Sequence, residues 1–141
     1  MITTYSQMNS RHKAEVEAFP MAFAFSMEQF ATAMAKLGLS PEDTDKICTI
    51  GSTGGFCLKT DAPALVAMLE RHGEEIADAM LDYDFAVDAF NYELTNHEYC
   101  VTYEVDDALG ALGIKAEDVA SSELLTKALQ AAIKAQRHYA D

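Results

Sequence analysis

The sequence has little positive charge: 10 Lys and Arg side chains stand against 23 Asp and Glu side chains, and the formal net charge is −13 at pH 7. No basic patch is present that would displace the counterions of a nucleic acid, so direct nucleic-acid binding is disfavoured. No apolar run approaches the ~20 residues that a membrane-spanning helix needs. The first 19 residues are polar and lack the apolar stretch of a signal peptide. We therefore expect a cytoplasmic protein that does not contact a membrane.

Cysteine and catalytic motifs are also scarce. The three cysteines are Cys48, Cys57 and Cys100. An odd count fits reduced thiols better than a disulfide framework. The stretch GSTGG at 51–55 lacks the Gly-Lys-Ser/Thr of a phosphate-binding loop, and neither G-x-S-x-G nor G-x-G-x-x-G occurs. Ser52 and Thr53 have no His at an interpretable spacing. We therefore expect that the protein is not an enzyme.

Apolar residues are plentiful, at 50% of the chain, which predicts a packed core. A chain of 141 residues is long enough to bury roughly 68% of the surface that its unfolded form exposes. No internal repeat, low-complexity tract or linker occurs, so we predict a single domain over residues 1–141. The helical spacing of most apolar residues predicts a mainly α (α+β) fold, a helical bundle with one small β-hairpin.

Cap residues define the first two predicted helices. The first covers 4–18 and begins after Thr3 or Thr4. The second begins after the N-cap residue Ser26 and ends at Gly38.

The remaining segments are predicted from turn residues and periodicity. Residues 19–26 form a short extended segment or a buried connection, and Pro41 marks another helix start. Residues 46–60 hold two β-type runs around a glycine-rich turn, which predicts the hairpin. The later segments predicted to be helical are 60–82, 83–99, 105–113, 115–120 and 121–140.

Negative charge is concentrated in the middle of the chain. Between Glu70 and Asp107 twelve acids stand against one base, Arg71. Four of these acids recur at every fourth residue, opposite the apolar stripe of their predicted helix: Glu70, Glu74, Asp78 and Asp82. Like charges at i, i+4 destabilise a helix by ~0.2–0.5 kcal/mol per pair. One interpretation is a solvated helix face that maintains solubility. The other is a surface that binds a basic protein partner.

One such stripe is too sparse to imitate a phosphate backbone. Four residues of helix rise ~6 Å, whereas duplex DNA carries one charge every ~1.7 Å of its axis. A surface of that kind therefore needs further carboxylates beside the stripe. The predicted partner-binding set accordingly adds Asp84, Asp88, Glu104, Asp106 and Asp107.

Three polar residues fall inside predicted apolar stripes, His72 on one helix and Glu93 and His97 on the next, and Cys100 follows three positions later. Imidazole, carboxylate and thiolate are zinc ligands, so these four residues are a candidate zinc site if the two helices pack antiparallel. The alternative is a hydrogen-bonded Glu93–His97 or Glu93–His72 pair that satisfies the buried polar groups without a metal. The specific zinc spacings C-x₂-C and H-E-x-x-H do not occur.

The stretches YELTNHEYCVTY (92–103), DALGALGIKAEDV (107–119) and FAFSMEQF (23–30) resemble a family of small, uncharacterised acidic proteins from gut-type Firmicutes and their phages or mobile elements. Small acidic proteins of such elements include anti-restriction and anti-CRISPR inhibitors of nucleases. The resemblance implies this genetic context. Together with the acidic segment from Glu70 to Asp107, it leads to the hypothesis of a non-enzymatic inhibitor of a basic partner, with Cas9 of type II CRISPR systems as the leading candidate. Two other hypotheses stay open: a zinc protein, and a homodimeric regulatory module that pairs through its last, nearly neutral helix.

Overall fold

The structure, a computed structural model, describes residues 4–51 and 53–140, with side chains up to residue 137. These residues form eight α-helices and three short strands, so the predicted mainly α (α+β) class is confirmed. The chain divides into two compact units. We call Ala14–Glu70 the sheet unit, and Met1–Lys13 together with Arg71–Asp141 the helical unit. The single domain over residues 1–141 stays a prediction.

The elements follow the chain in this order. They are α1 (Tyr5–Ala18), β1 (Met21–Phe23), α2 (Met27–Lys36), β2 (Ile47–Ile50), β3 (Gly55–Leu58), α3 (Ala62–Ala79), α4 (Tyr83–Asn96), α5 (Tyr99–Thr102), α6 (Asp106–Ala111), α7 (Ala116–Ala120) and α8 (Glu123–Ala140). Helices α1 and α3 contribute residues to both units.

A capping box starts α1. The Thr4 hydroxyl accepts a hydrogen bond from the Gln7 backbone N–H at 3.2 Å, and the Gln7 side chain accepts one from the Thr4 N–H at 3.0 Å. Two N–H groups without helical acceptors are thereby satisfied, which stabilises the first turn. Of the two predicted caps, Thr4 is confirmed, and Thr3 lies outside the described residues.

Both predicted ends of α2 are confirmed. The Ser26 side chain accepts a hydrogen bond from the Gln29 backbone N–H at 3.2 Å. At the other end Gly38 adopts φ +77°, and the Leu39 N–H donates to the Met34 carbonyl at 2.9 Å. A residue with a side chain is strained at that φ, which explains why a glycine ends the helix.

The prediction of a helix that starts at Pro41 is wrong. Asp43 accepts hydrogen bonds from the Ser40 backbone N–H at 2.9 Å and from its hydroxyl at 3.1 Å, which holds residues 40–43 in a turn. The Ser40 backbone hydrogen bond also lowers the pKa of Asp43. Only a single 3₁₀ turn follows, Thr44–Lys46, before β2 begins. Local side-chain hydrogen bonding here competes with the helix that the proline position favours.

The predicted hairpin is confirmed, and β1 adds a third strand to it. The sheet order is β1-β3-β2 with both pairs antiparallel. Because successive side chains alternate between the two faces of a sheet, each face has its own apolar cluster. One cluster contains Ala22, Phe56 and Met34 of α2, and the other contains Cys57 and Leu65 of α3.

Cys48 and Cys57 lie directly opposite each other on β2 and β3, and both are free thiols. The hydrogen bond from Lys59 N–H to the Lys46 carbonyl fixes the alternation of the ladder and makes Cys48–Cys57 a hydrogen-bonded pair. In such pairs the Cβ atoms are about 5.5 Å apart, beyond the usual ~3.5–4.5 Å of a disulfide. The register therefore favours two thiols, and burial raises the pKa of the Cys57 thiol.

The core of the helical unit is built around α4 and α8. Phe90 and Leu94 of α4 and Ala128 and Ala132 of α8 have no exposed surface. Burial of a side chain such as Phe or Leu is worth about 1.5–3 kcal/mol, so this pair of helices supplies much of the stability of the unit. No helix within the described part of the chain has both the length and the apolar character needed to cross a membrane.

Candidate functional site

All nine carboxylates predicted to bind a partner are exposed. We call them the acidic set: Glu70, Glu74, Asp78, Asp82, Asp84, Asp88, Glu104, Asp106 and Asp107. Among the described residues, no ion pair joins any of the nine to a Lys or Arg. Glu70 is the last residue of the sheet unit, and the other eight belong to the helical unit. The nine carboxylates therefore carry negative charge that no Lys or Arg of the described residues neutralises through an ion pair.

Several members of the acidic set also stabilise helix starts. Asp82 is the N-cap of α4 and accepts the Phe85 N–H at 2.9 Å. Asp88 accepts the Tyr5 N–H at the start of α1, at 3.1 Å. Negative charge near a helix N-terminus is favoured by the helix dipole. Asp84 lies in the first turn of α4, and Asp106 and Asp107 in the first turn of α6.

Glu104 precedes α6 and has no such role, and neither do three members on α3: Glu70, Glu74 and Asp78. They are spaced four residues apart on α3, and none has a described hydrogen bond or ion pair to another side chain. Their mutual repulsion costs a helix ~0.2–0.5 kcal/mol per pair. Local helix stability therefore does not explain them.

Glu75, the next residue after Glu74, is neutralised instead. Its Oε2 lies 3.0 Å from His12 Nε2 and accepts Arg11 Nη2 at 2.5 Å, while its Oε1 accepts Arg71 Nη1 at 2.9 Å. The pKa of Glu75 is lowered to about 2, mainly by the hydrogen bond to His12 and, to a smaller extent, by the hydrogen bond to Arg71 and the charge of Arg11. Burial acts in the opposite direction. This carboxylate holds α1 against α3 within the helical unit and is not available to a partner.

His72 stacks on His12. Both side chains are buried, their ring centroids are 3.9 Å apart, and the ring planes differ by 11°. Because Glu75 contacts His12, the stack and the carboxylate form one polar cluster inside the helical unit. His72 is thus buried as its helical position predicts, but its ring faces an imidazole of α1.

Glu93 is buried as the acceptor of a tyrosine hydroxyl. Tyr5 Oη donates to Glu93 Oε1 at 2.6 Å, within the usual range of O–H···O hydrogen bonds. The other oxygen, Oε2, pairs with His97 Nε2 at 3.3 Å. The pKa of the Tyr5 phenol is raised, mainly by burial and to a smaller extent by the hydrogen bond to Glu93. The predicted alternative to zinc is a hydrogen-bonded Glu93–His97 or Glu93–His72 pair; the structure places His97 at an ion-pair distance from Glu93, while the hydrogen bond to Glu93 comes from Tyr5.

The Cys100 thiol contacts α8 and not the other three residues of the predicted zinc set. Its Sγ lies 3.5 Å from Oε1 of Gln136 on α8. Gln136 is itself buried and donates to the Asn91 side-chain oxygen at 2.6 Å and to the Thr95 hydroxyl at 2.8 Å. The Gln136 side-chain amide therefore links α8 to α4, and the Cys100 thiol contacts the oxygen of the same amide.

Of the predicted zinc set, the structure brings together Glu93 and His97, at an ion-pair distance of 3.3 Å. His72 stacks on His12, and Cys100 contacts Gln136. Among the side chains of residues 4–51 and 53–137, no three of His, Cys, Asp or Glu form a group that could hold a metal ion. Zinc at these four positions stays a prediction.

Sequence reasoning missed Tyr5, His12 and Gln136. Each contacts a residue at least 41 positions away, so helical periodicity carries no signal for these contacts.

In the glycine-rich stretch, the Thr53 hydroxyl donates to the Ile50 carbonyl at 2.7 Å and accepts the Gly55 N–H, so it belongs to the hairpin turn. Ser52 lies outside the described residues.

Comparison with known protein families matches residues 4–135 to one family, described as a family of unknown function (DUF7659). No curated protein and no solved structure matches the sequence. The resemblance to acidic proteins of Firmicutes mobile elements stays a prediction.

Proposed function

The chain belongs to this family of unknown function, and from that premise we propose that it is a non-enzymatic interaction protein that binds a basic protein partner through the acidic set. The observation that carries the proposal is the exposure of all nine carboxylates without a Lys or Arg ion pair among the described residues. The strongest support comes from Glu70, Glu74 and Asp78, because their mutual repulsion destabilises the helix on which they lie. A cationic partner would offset that cost.

The binding would be mainly electrostatic. Complementary charge raises the association rate and makes affinity fall with ionic strength, because salt screens exposed charges over about 8–10 Å. A basic surface that accepts a nucleic acid has the chemistry to accept these carboxylates. Occupying such a surface would exclude the nucleic acid, which makes inhibition the consequence of binding.

The specific form of the proposal is an anti-CRISPR protein that acts in the cytoplasm by blocking nucleic-acid loading on Cas9. This form rests on the resemblance of the sequence to proteins of mobile elements and on the acidic set. The coarser form, binding to a basic protein, does not depend on the identity of the partner. The homodimeric module stays a prediction as well.

The test compares two triple variants with the same change in charge. Glu70→Lys/Glu74→Lys/Asp78→Lys reverses the three members of the acidic set that lie on α3 and have no role in helix capping, and it leaves the N-cap Asp82 in place. The control, Glu17→Lys/Glu42→Lys/Asp45→Lys, reverses three exposed acids outside the acidic set. Binding to purified Cas9, with and without its guide RNA, is measured by fluorescence anisotropy at 50 mM and 200 mM salt.

We expect the first variant to lose at least tenfold in affinity and the control less than twofold, with wild-type affinity lower at 200 mM salt. Circular dichroism verifies that both variants remain folded. Equal losses in the two variants would assign the effect to net charge and reject the acidic set as the binding surface. No binding of Cas9 by the wild-type protein would reject the anti-CRISPR form, and capture experiments with other basic nucleases would then test the coarser one.

A further inference from the structure

The sheet unit has an open cleft between the edge strand β1 and helix α2. Its volume is about 850 Å³, within the range of ligand-binding clefts. Ala22 and Phe23 line it on the strand side, and Glu28, Ala33 and Lys36 line it on the helix side. All of these residues belong to the sheet unit, and none of the residues that line the cleft is a member of the acidic set.

The backbone of β1 has hydrogen-bonding groups that do not face its neighbour in the sheet. The Ala24 N–H donates to the Gly54 carbonyl, which makes Ala22–Phe56 a hydrogen-bonded pair of the antiparallel ladder. The N–H and C=O groups of Met21 and Phe23 therefore point away from β3. Such an edge is a template for another extended chain. The Phe25 N–H is already bonded to the Gln29 side chain at 2.8 Å, so the edge ends at Phe23.

Apolar surface lies beside this edge. Phe23, Phe25 and Met27 are 51%, 77% and 84% exposed, three large apolar side chains within five residues. The small side chains of Ala22 and Ala33 leave space on the floor of the cleft. An apolar side chain of a bound peptide has room there.

The charges along α2 set the spacing of a ligand. Glu28 and Lys36 are eight residues apart, which corresponds to about 12 Å along a helix axis. In an extended strand, residues i and i+4 point to the same side and are about 13 Å apart. A strand with opposite charges at i and i+4 therefore matches Lys36 and Glu28, and its residue i+2 faces the floor between them.

We propose that the β1–α2 cleft binds an extended peptide segment of a partner protein by strand addition to β1. The segment carries an apolar residue flanked, two positions away on each side, by one basic and one acidic residue. The basic residue pairs with Glu28 and the acidic residue with Lys36. Main-chain hydrogen bonds to Phe23 supply affinity, and the two charges select the sequence and its direction.

The probes are two acetylated and amidated heptapeptides of identical composition, TKVLTET and TEVLTKT. They are titrated into ¹⁵N-labelled protein, and the amide signals of Met21 and Phe23 are followed by NMR. We expect one peptide to bind at least threefold more tightly than the other and to slow hydrogen exchange of the Phe23 amide several-fold. In the charge-swapped variant Glu28→Lys/Lys36→Glu the preference should invert.

The matched control is Glu42→Lys/Lys59→Glu, which exchanges two exposed charges of the sheet unit outside the cleft and should keep the wild-type preference. If neither peptide shifts the Phe23 signal, or if the charge swap leaves the order unchanged, the proposal is overturned. Neither result affects the acidic set, because the cleft and its variants lie in the sheet unit and contain none of its carboxylates.

Discussion

Glu74 and Glu75 are neighbours on α3, yet their carboxylates have opposite surroundings. Glu75 accepts hydrogen bonds from two arginines and lies 3.0 Å from a buried histidine, whereas Glu74 is exposed and has no described partner. One residue of helix turns a side chain by 100°, which is enough to move a carboxylate from a cluster of cations to solvent. The same amino acid thus stabilises the fold on one side of α3 and leaves its charge available on the other.

Glu93 extends the contrast to α4. It belongs to the same acidic segment of the sequence, but it is buried and satisfied by Tyr5 and His97. A count of acids along the chain therefore overstates the charge that a partner can meet. Substitutions at three places on α3 and α4 test these differences in surroundings, and we expect progressively smaller effects on stability.

The largest effect is expected at Glu93. Glu93→Ala leaves the Tyr5 hydroxyl without its acceptor, removes the carboxylate beside His97 and creates a cavity, so we expect it to lower the free energy of unfolding by about 3 kcal/mol. Glu93→Gln keeps an acceptor of the same size and should cost about 1 kcal/mol. Urea denaturation followed by circular dichroism measures both. A loss below 0.5 kcal/mol (roughly the effect of an ordinary surface substitution) for Glu93→Ala would contradict the buried network.

The effect at Glu75 should be intermediate and dependent on pH. Glu75→Gln weakens three interactions of a partly exposed carboxylate, and we expect a loss of about 1 kcal/mol near pH 7. The control, Glu74→Gln, should stay within about 0.5 kcal/mol of wild type. Urea denaturation at several pH values measures these differences.

The sign of the pH dependence follows from the lowered pKa. Folding moves the pKa of Glu75 from its ordinary value of 4.5 to about 2, so the folded protein binds fewer protons in that interval. The contribution is complete above pH 4.5 and is lost as the pH falls towards 2. The difference between wild type and Glu75→Gln should shrink over that window. A difference that stays constant from pH 6 to pH 2.5 would contradict the assignment.

The smallest effect is expected for the three acids of α3 without partners. Glu70→Gln/Glu74→Gln/Asp78→Asn removes two like-charged i, i+4 pairs and should raise the free energy of unfolding by about 0.4–1 kcal/mol. The gain should fade at 1 M salt, where the Debye length is about 3 Å. Thermal and urea denaturation at low and high salt measure it. Destabilisation instead would mean that these carboxylates stabilise the fold, which would weaken the proposed function.

Local signals in the sequence predicted the local structure well. Thr4, Ser26 and Gly38 mark helix ends because a cap needs only a side-chain oxygen or a glycine within a few residues. The hairpin followed from two short β-type runs around glycines. Strand β1 has three residues, too few for an alternating pattern, and its pairing depends on β3 more than thirty residues away.

The site was predictable only in part. Exposure of Glu70, Glu74, Asp78 and Asp82 followed from helical spacing, and so did the burial of His72 and Glu93. Their partners did not, because Tyr5 and His12 approach from α1 across separations of 88 and 60 residues in sequence. A buried polar residue shows that a partner exists, and only the tertiary structure identifies it.

The turn before β3 has a consequence for the aromatic side chains that flank the cleft. An ideal Cβ at Gly55 would lie 2.6 Å from Phe23 Cε1, and one at Gly54 would lie 2.7 Å from Phe25 Cε1. Each ring rests on a position where the neighbouring chain has only a hydrogen atom. The absence of a Cβ atom at Gly54 and Gly55 therefore leaves the space in which the two phenyl rings pack. A substitution at either glycine would first displace an exposed aromatic ring and so change the surface presented to solvent.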